Sequence, residues 1–196
     1  MIKKIVAIGP ESTGKSTLCK QLAEHFNTMW CPEYAREYLN QNGIKYKYDD
    51  LLKIAQGQLV MEDYCEEKVN SQLSIVNSKN LKLKTQNPKL LIIDTNMYVM
   101  KVWYEYVFGK CEQLVLDTIA ERKYDLYLLC NIDLPWIEEP MREYPDEQPR
   151  KELYNIYKDL LINQSTPWIE IRGGYEEREQ TAIETVKNFA LPNNLF

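Results

Sequence analysis

Residues 9–17, GPESTGKST, follow directly on the apolar run at 2–8 and combine glycines, hydroxyl side chains and one lysine. A short, β-branched apolar run that ends in Gly-Pro is typical of a buried parallel strand, and a helix is expected after the glycines. Between a strand and a helix, the pattern GxxxxGKS at 9–16 satisfies the phosphate-binding P-loop motif. The segment therefore predicts a strand, a phosphate loop and a helix in succession.

Each residue type in this loop has a chemical use. Glycines let backbone amides curl around phosphate oxygens, and the following helix adds the partial positive charge of its N-terminus. A purely structural glycine turn is the alternative, but it would not require Lys-Ser at this position. We expect the Lys15 ammonium to reach the β and γ phosphates of a bound nucleotide and the Ser16 hydroxyl to ligate Mg²⁺. The residues predicted to bind the nucleotide here are Gly9, Glu11, Ser12, Thr13, Gly14, Lys15 and Ser16.

The composition of the whole chain narrows the class of protein. The chain has 196 residues, of which 44% are hydrophobic, enough for one domain with a real core. Twenty-nine acidic residues against 24 basic ones give a net charge of -5, which disfavours DNA or RNA as a partner and favours small molecules.

The five scattered cysteines and single histidine lack metal-ligand spacing, which predicts reduced, mostly buried thiols. The apolar runs are too short for a signal sequence or a membrane span, which favours the cytoplasm, and the sequence does not set the oligomeric state.

Apolar runs alternate with amphipathic stretches along the chain. Strands are predicted at 2–8, 28–31, 89–93, 125–130 and 167–171, and helices after the phosphate loop, at 33–42, 96–107, 111–122 and 176–190, and from near Asp146. The charged stretch at 48–78 suggests one or two exposed helices, and 77–88 a surface loop. Strands separated by helices indicate an α/β fold of the P-loop kinase class, a parallel sheet with helices on both faces. We expect residues 1–196 to form one domain with a mobile lid at about 135–152.

The strand at 89–93, KLLII, runs directly into Asp94. A Mg²⁺–nucleotide site uses a carboxylate at the end of a neighbouring strand, as in a Walker B segment. Many strands also end in Asp because its side chain caps the next helix, here the one predicted at 96–107. We therefore predict that Asp94 ligates the metal together with Ser16, with helix capping as the alternative.

A second carboxylate lies just past the strand predicted at 28–31, in the segment PEYAREY at 32–38. Ligands of open α/β folds bind at the carboxyl edge of the sheet, where this segment is expected. Phosphoryl transfer to a hydroxyl needs a carboxylate near that hydroxyl, so Glu33 is the candidate base, and Arg36 pairs either with it or with the substrate. An ordinary helix start with Glu in its first turn is the alternative.

A segment rich in proline follows the fourth predicted strand. Three prolines between 140 and 149 keep this segment from forming a continuous helix, so Arg142 and Arg150 are predicted to lie on a mobile flap. Such a flap can close over the phosphates, exclude water and bring guanidinium groups to the transferred phosphoryl group. Solvated ion pairs with neighbouring acids are the alternative. Beyond the last strand, Gly173 is predicted to bring backbone groups close to the nucleotide base, unless it serves only the turn.

Five motifs, taken in order, resemble those of a known family. They are GPESTGKSTL at 9–18, PEYAREY at 32–38, LLIIDTN at 90–96, LPWIEEPMR at 134–142 with Arg150 beyond it, and GGYEER at 173–178. Together they resemble the ribosylnicotinamide kinase module of the NadR family over most of the chain. The resemblance implies a P-loop kinase fold and ATP-dependent phosphorylation of the 5′ hydroxyl of a nucleoside, nicotinamide riboside, to the mononucleotide, a salvage step toward NAD.

The resemblance also implies roles for single residues. Lys15, Ser16 and Thr17 would serve the nucleotide and the metal, Glu33 or Asp94 the acceptor hydroxyl, and Arg142 and Arg150 the flap. The flap departs from the family pattern Trp-x-x-Asp-Gly-x-Arg, because Glu139-Pro140 stands where Asp-Gly would. In NadR proteins an adenylyltransferase domain commonly precedes this module, whereas this chain begins at the first kinase strand, so we expect the kinase to stand alone.

Aromatic residues near these motifs suit a cationic pyridinium, which stacks favourably on Trp or Tyr. The candidates are Trp30, Tyr34, Tyr98, Trp103 and Trp136, with core packing as the alternative. The residues predicted to bind the substrate are Glu33, Tyr34, Arg36, Asp94, Tyr98 and Trp136. Two other functions are compatible with these motifs, a kinase for another nucleoside or small metabolite and a regulatory nucleotide switch. The lack of an Asn-Lys-x-Asp-like segment disfavours a GTPase.

Overall fold

The structure, a computed structural model, describes residues 2–78 and 90–190, with only the backbone described at 72–78. Within these residues five parallel strands form one sheet. They are β1 (Lys3–Ile8), β2 (Met29–Cys31), β3 (Leu90–Asp94), β4 (Leu126–Cys130) and β5 (Trp168–Ile171). Their order across the sheet is β2-β3-β1-β4-β5, and Val6 in the central strand lies opposite Ile93 on one side and Tyr127 on the other. All five strands agree with the sequence prediction to within two residues.

Seven helices connect and follow these strands in the described residues. They are α1 (Lys15–His25), α2 (Tyr34–Asn42), α3 (Tyr48–Ser78), α4 (Met97–Phe108), α5 (Gln113–Glu121), α6 (Glu147–Ile162) and α7 (Tyr175–Ala190). The start predicted near Asp146 is confirmed, since this residue is the N-cap of α6. The surface loop predicted at 77–88 begins on the last two residues of α3, and its remaining residues lie outside the described part of the chain.

The long helix α3 differs from the exposed helices that its charges suggested. It is one continuous element, and one of its faces is buried along most of its length. The buried side chains recur at helical spacing and are those of Leu51, Ile54, Ala55, Gln58, Glu62, Cys65 and Val69. The charge pattern alone missed this face because the stripe contains two polar residues.

Helices cover both faces of the sheet, as the alternation of elements predicted. On one face α1 and α7 pack against β1, β3 and β4, and the predicted stripe of Leu18, Leu22 and Phe26 is buried there. On the other face α3, α4 and α6 contribute Cys65, Val102 and Leu153 to a second core. The cysteines are unpaired, and all except the half-buried Cys111 are buried, as predicted. No helix in the described ranges is both long and apolar enough to cross a membrane.

A buried carboxylate fixes the amino end of the sheet. Glu62 in α3 is fully buried, and its carboxylate lies 3.4 Å from the Lys4 ammonium and 3.3 Å from the Arg122 guanidinium. It also accepts a hydrogen bond from the Tyr124 hydroxyl at 3.0 Å. Because a buried charge is costly without its partners, this cluster makes a structural contribution far from the phosphate loop.

Candidate active site

The phosphate loop connects β1 to α1 at the carboxyl edge of the sheet, and its residues 9–17 all line one cavity of about 520 Å³. Three of its residues have positive φ, namely Gly9 (141°), Ser12 (55°) and Gly14 (76°). A Cβ atom at Gly9 would lie 2.7 Å from the Cys130 carbonyl oxygen, so only glycine fits where the loop passes β4. The loop therefore has the close approach and the unusual dihedral angles that a phosphate nest requires.

The positive end of α1 points into this loop. Gly14 is the N-cap residue, and the first turn of α1 contains no acidic side chain to offset the helix dipole. The Lys15 ammonium donates to the Pro10 carbonyl oxygen at 2.7 Å, and the Thr13 hydroxyl donates to the same oxygen at 2.8 Å. Backbone N–H groups, a helix N-terminus and an ammonium thus converge on one volume, which is an arrangement that binds phosphate.

Asp94 ends β3 beside the loop, opposite Ala7 of β1. Its side chain is 1% exposed, and in the described part of the chain neither carboxylate oxygen has a hydrogen-bond partner. Burial, followed by the charge of Glu33, raises the pKa of Asp94 to about 6, while Lys15 and the nearby Ser16 hydroxyl lower it. A buried carboxylate without a partner next to a hydroxyl is a donor set that fits Mg²⁺.

The capping alternative for Asp94 does not hold. The N-cap of α4 is Asn96, whose side-chain oxygen accepts from the Tyr98 backbone N–H at 3.1 Å. Asp94 is therefore not required by its local helix. Within residues 2–78 and 90–190 no three His, Cys, Asp or Glu side chains are grouped as metal ligands. A metal here would accordingly take its other ligands from phosphate oxygens and water, which is the usual coordination of Mg²⁺ in nucleotide sites.

Glu33 and Arg36 reach the same cavity from the start of α2. Glu33 is the N-cap residue, but in the described structure its side chain accepts no capping hydrogen bond from the helix. Arg36 pairs with Glu139 at 2.8 Å, so its partner comes from the predicted lid and is neither Glu33 nor a residue of its own helix. The structure thus brings Glu33 and Asp94 together in one cavity and places Arg36 against the lid.

The predicted lid packs directly on the phosphate loop. Its irregular part ends at residue 146, since α6 begins at Glu147. The Glu11 carboxylate accepts from the Glu143 backbone N–H at 2.8 Å, and the Ser12 hydroxyl accepts from the Ile137 backbone N–H at 2.9 Å. Burial raises the pKa of Glu11, and the hydrogen bonds that its carboxylate accepts from the Glu143 and Tyr144 backbone N–H groups oppose the effect. Two loop residues that were predicted to bind the nucleotide therefore also hold the lid.

The two predicted flap arginines take different positions. Arg142 lines the cavity and donates to Ser12 at 3.2 Å and to Glu139 at 2.7 Å. Arg150 lies in the first turn of α6, is buried, and its guanidinium lies 5.5 Å from the ring centre of Trp136. The Arg142 guanidinium lies 5.9 Å from the same ring. Arg150 and Trp136 are not among the residues that line the cavity, so of the two cations only Arg142 faces it.

Part of the cavity is lined by an aromatic wall. Trp103 of α4 donates its indole N–H to the Tyr46 hydroxyl at 2.8 Å, and their rings meet edge to face at 4.9 Å. Tyr106 of α4 meets Tyr144 of the lid in the same way at 5.3 Å. The aromatic residues that line the cavity are Trp30, Tyr46, Trp103, Tyr106, Tyr144 and Tyr157. Trp30 and Trp103 were sequence candidates, whereas the four tyrosines were missed.

Three predicted substrate contacts, Trp136 among them, and one predicted nucleotide contact do not line the cavity. The Tyr34 ring packs on α3, where a Cβ at Gly57 would lie 2.0 Å from it. Tyr98 packs against Tyr127 with ring centres 5.5 Å apart. Gly173, at φ 89°, donates its backbone N–H to the Asp133 carboxylate at 2.7 Å. One face of α4 lines the cavity, through residues 99, 102, 103, 106 and 107. Because residues three and four apart share a helix face, the candidate Trp103 could have pointed to Tyr106.

Comparison with known proteins agrees with this geometry. The pattern of the AAA domain family matches residues 4–178. The trifunctional NAD biosynthesis/regulator protein NadR of Escherichia coli (strain K12) is 26% identical over 191 residues, which cover 95% of this chain and 42% of that protein. The NadR of Salmonella typhimurium is also 26% identical over 191 residues, with the same coverage. The chain thus spans less than half the length of these relatives.

Solved structures give the same relationship. A crystal structure of NadR protein in complex with NR superposes with a TM-score of 0.71 at 26% identity, covering 96% of this chain and 49% of that chain. Thymidylate kinase from Ehrlichia chaffeensis shares the fold. It superposes with a TM-score of 0.58 at 14% identity, covering 94% of this chain and 98% of that chain. The P-loop kinase fold predicted from the motifs is confirmed. The chain belongs to the AAA domain family and is homologous to NadR over nearly its whole length, which confirms the resemblance that its motifs carry.

Proposed function

We propose that this chain is an ATP-dependent kinase that phosphorylates the 5′ hydroxyl of nicotinamide riboside to give nicotinamide mononucleotide. The observation that carries the proposal is a single cavity with the phosphate loop, Asp94, Glu33 and the aromatic wall on its lining. Donor phosphates and an acceptor nucleoside can therefore lie side by side with a carboxylate close to both. The NadR structure with NR supports the choice of acceptor.

The phosphate loop defines the nucleotide-binding half of the cavity. Lys15 and the N-terminus of α1 bind the β and γ phosphates and stabilise the charge that spreads over the transferred group. Ser16 and Asp94 would hold Mg²⁺, which when bound neutralises phosphate charge. Arg142 lines the same volume, and we assign it the stabilisation of the migrating phosphoryl group. A crystal structure of NadR protein with NAD and AMP-PNP, superposed at a TM-score of 0.66 and 25% identity, supports ATP as the donor.

The acceptor half requires a base and a surface for the pyridinium ring. We assign the base to Glu33, because Asp94 lies next to Ser16 and fits the metal, whereas Glu33 makes no capping bond in its described surroundings. Glu33 takes the proton from the 5′ hydroxyl while the hydroxyl oxygen attacks the γ phosphorus of ATP in line. The bond from that phosphorus to the β–γ bridging oxygen breaks, and ADP leaves. The cationic ring stacks on the wall formed by Trp103, Tyr46 and Tyr106, a contact worth about 0.5 to 2 kcal/mol.

The direct test is a phosphorylation assay with ATP, Mg²⁺ and nicotinamide riboside. We expect mononucleotide as the product, and loss of activity by about a hundredfold or more in Lys15→Ala. Glu33→Gln should lower kcat, whereas a variant that keeps the wild-type kcat would remove Glu33 as the base. Activity on other nucleosides but not on this one would leave the kinase and remove the assignment to NAD salvage.

A matched pair of tryptophans locates the ring. Trp103 lines the cavity, whereas Trp136 does not. The Trp136 ring instead lies beside the guanidinium groups of the two flap arginines. We expect Trp103→Leu to raise the KM for nicotinamide riboside by up to about tenfold, as loss of a cation–π contact predicts. Trp136→Leu should change this KM less. An equal or larger effect at Trp136, which was also a candidate from the sequence, would place the ring against the lid.

A further inference from the structure

A buried arginine outside the cavity lining binds the phosphate loop from behind. Arg178 in the first turns of α7 is 3% exposed. Its Nη1 donates to the Thr13 carbonyl oxygen at 2.8 Å, its Nη2 to the Asn131 carbonyl at 2.8 Å, and its Nε to the Gly173 carbonyl at 2.8 Å. The same guanidinium pairs with the Asp133 carboxylate. One side chain therefore joins the phosphate loop to the segments that follow β4 and β5.

The bond to Thr13 has a geometric consequence for the phosphate site. No cis peptide bond occurs in the described residues, so the peptide between Thr13 and Gly14 is trans. In a trans peptide the carbonyl and the next N–H point in opposite directions. Because Arg178 holds the Thr13 carbonyl toward α7, the Gly14 N–H is directed away from α7. This peptide lies between Ser12 and Gly14, both at positive φ, where no regular hydrogen-bond ladder would otherwise hold it.

We propose that Arg178 is a positioning residue for nucleotide binding, which sets the Thr13–Gly14 peptide so that the Gly14 N–H faces the phosphates. The inference rests on the proposed nucleotide-binding function. It extends that function to a residue that does not line the cavity. It also couples the phosphate loop to Gly173, since the same guanidinium binds both carbonyl groups and Asp133 accepts the Gly173 N–H at 2.7 Å.

The contacts of Arg178 differ from those of an arginine that serves stability alone. Arg122, at the amino end of the sheet, pairs only with the carboxylates of Glu62 and Asp63 among the contacts that the structure describes. Three of the acceptors of Arg178 are instead backbone carbonyls at the carboxyl edge of the sheet. Arg122 is therefore a suitable control, because it is an ion-paired arginine without contact to the phosphate loop.

The test compares Arg178→Lys with Arg122→Lys in the complete chain. Lysine keeps the charge beside Asp133 but lacks the planar fork that binds three carbonyls at once. We expect Arg178→Lys to raise the dissociation constant for Mg²⁺–ATP, measured by calorimetry, by about tenfold or more, since a charge-assisted hydrogen bond to the loop is lost. The KM for the acceptor should stay within about twofold. Arg122→Lys should lower the melting temperature and leave both constants unchanged.

Each outcome decides the inference. Equal affinity of Arg178→Lys and wild type for Mg²⁺–ATP would overturn it, as would a parallel loss of affinity for ATP and acceptor, which indicates general misfolding. If the wild-type chain does not bind Mg²⁺–ATP, the proposed function and this inference fail together. If it binds ATP but phosphorylates another acceptor, the proposed substrate is wrong, and the selective loss of ATP affinity still supports the role of Arg178.

Discussion

Replacement of Asp94 by Asn should stabilise the protein in the absence of metal and nucleotide while it abolishes activity. The carboxylate is buried, has no hydrogen-bond partner among the described residues, and its pKa is raised to about 6, chiefly by burial. Asn has the same shape as a protonated Asp but never carries the charge. The substitution therefore removes the cost of a buried anion without creating a cavity.

The magnitude follows from proton linkage. The pKa of Asp94 is about 6 in the folded chain against a reference value of 3.8, and one pKa unit corresponds to about 1.4 kcal/mol. The folded state holds the Asp94 proton more tightly than the unfolded chain does. Proton binding therefore stabilises the folded state fully below about pH 4, and this stabilisation is lost as the pH rises through 6. Asp94→Asn avoids this loss and should be more stable than wild type by about 3 kcal/mol near pH 8.

Urea denaturation of both proteins, in buffer with a chelator and without nucleotide, measures the difference. We expect the free energy of unfolding of Asp94→Asn to exceed that of wild type at about pH 8, and the difference to fall below about 1 kcal/mol at about pH 4. Asp125→Asn serves as the control, and it should be less stable than wild type. The Asp125 carboxylate accepts the Lys4 backbone N–H at 2.9 Å and pairs with Lys3 at 2.7 Å, so its charge has partners that Asn would lose. An Asp94→Asn protein that is less stable than wild type at high pH would refute the reasoning.

Two further substitutions test how α3 packs against the rest of the fold. Gly57→Ala would ordinarily strengthen a helix by about 1 kcal/mol, but its Cβ would lie 2.0 Å from the Tyr34 ring, so we expect a loss of about 1 to 3 kcal/mol in chemical denaturation. A gain in stability would contradict the packing of Tyr34 on α3. Glu62→Ala removes the buried acceptor of the Tyr124 hydroxyl, while Lys4 keeps Glu66 and Arg122 keeps Asp63 as partners. It should cost about 1 to 3 kcal/mol by thermal denaturation, whereas the neighbouring, partly exposed Glu66→Ala should cost at most about 1 kcal/mol.

The phosphate loop could be recognised from the sequence because its chemistry is contiguous. The glycines, the lysine and the serine act within nine residues, and the strand and helix that flank them are short-range features. Asp94 could be located for a related reason, since parallel strands bring their carboxyl ends to one edge of the sheet. What the sequence could not decide was its role, and the structure excludes capping because Asn96 performs it.

The aromatic wall was predicted only in part because residue type does not determine the direction of a side chain. Tyr98 and Trp103 lie on the same helix, yet Tyr98 packs on Tyr127 of the sheet while Trp103 faces the cavity. Positions five apart on a helix point about 140° away from each other, so the two cannot share one face. The choice between them depends on how α4 sits on the sheet, which is set by tertiary contacts.

The carboxyl edge of the sheet concentrates features that local stability disfavours. Two of the three non-glycine residues with positive φ in the described chain, Ser12 and Thr95, flank the cavity, and Asp94 lies beside them with an unpaired buried charge. Such costs persist only where the surrounding structure enforces them, and they are typical of binding sites. Arg178 on one side and the lid contacts of Glu11 on the other provide that enforcement. The loop is thus held partly by residues outside the P-loop motif, Arg178 and Glu143 of the lid, and a chain with the motif alone would lack these contacts.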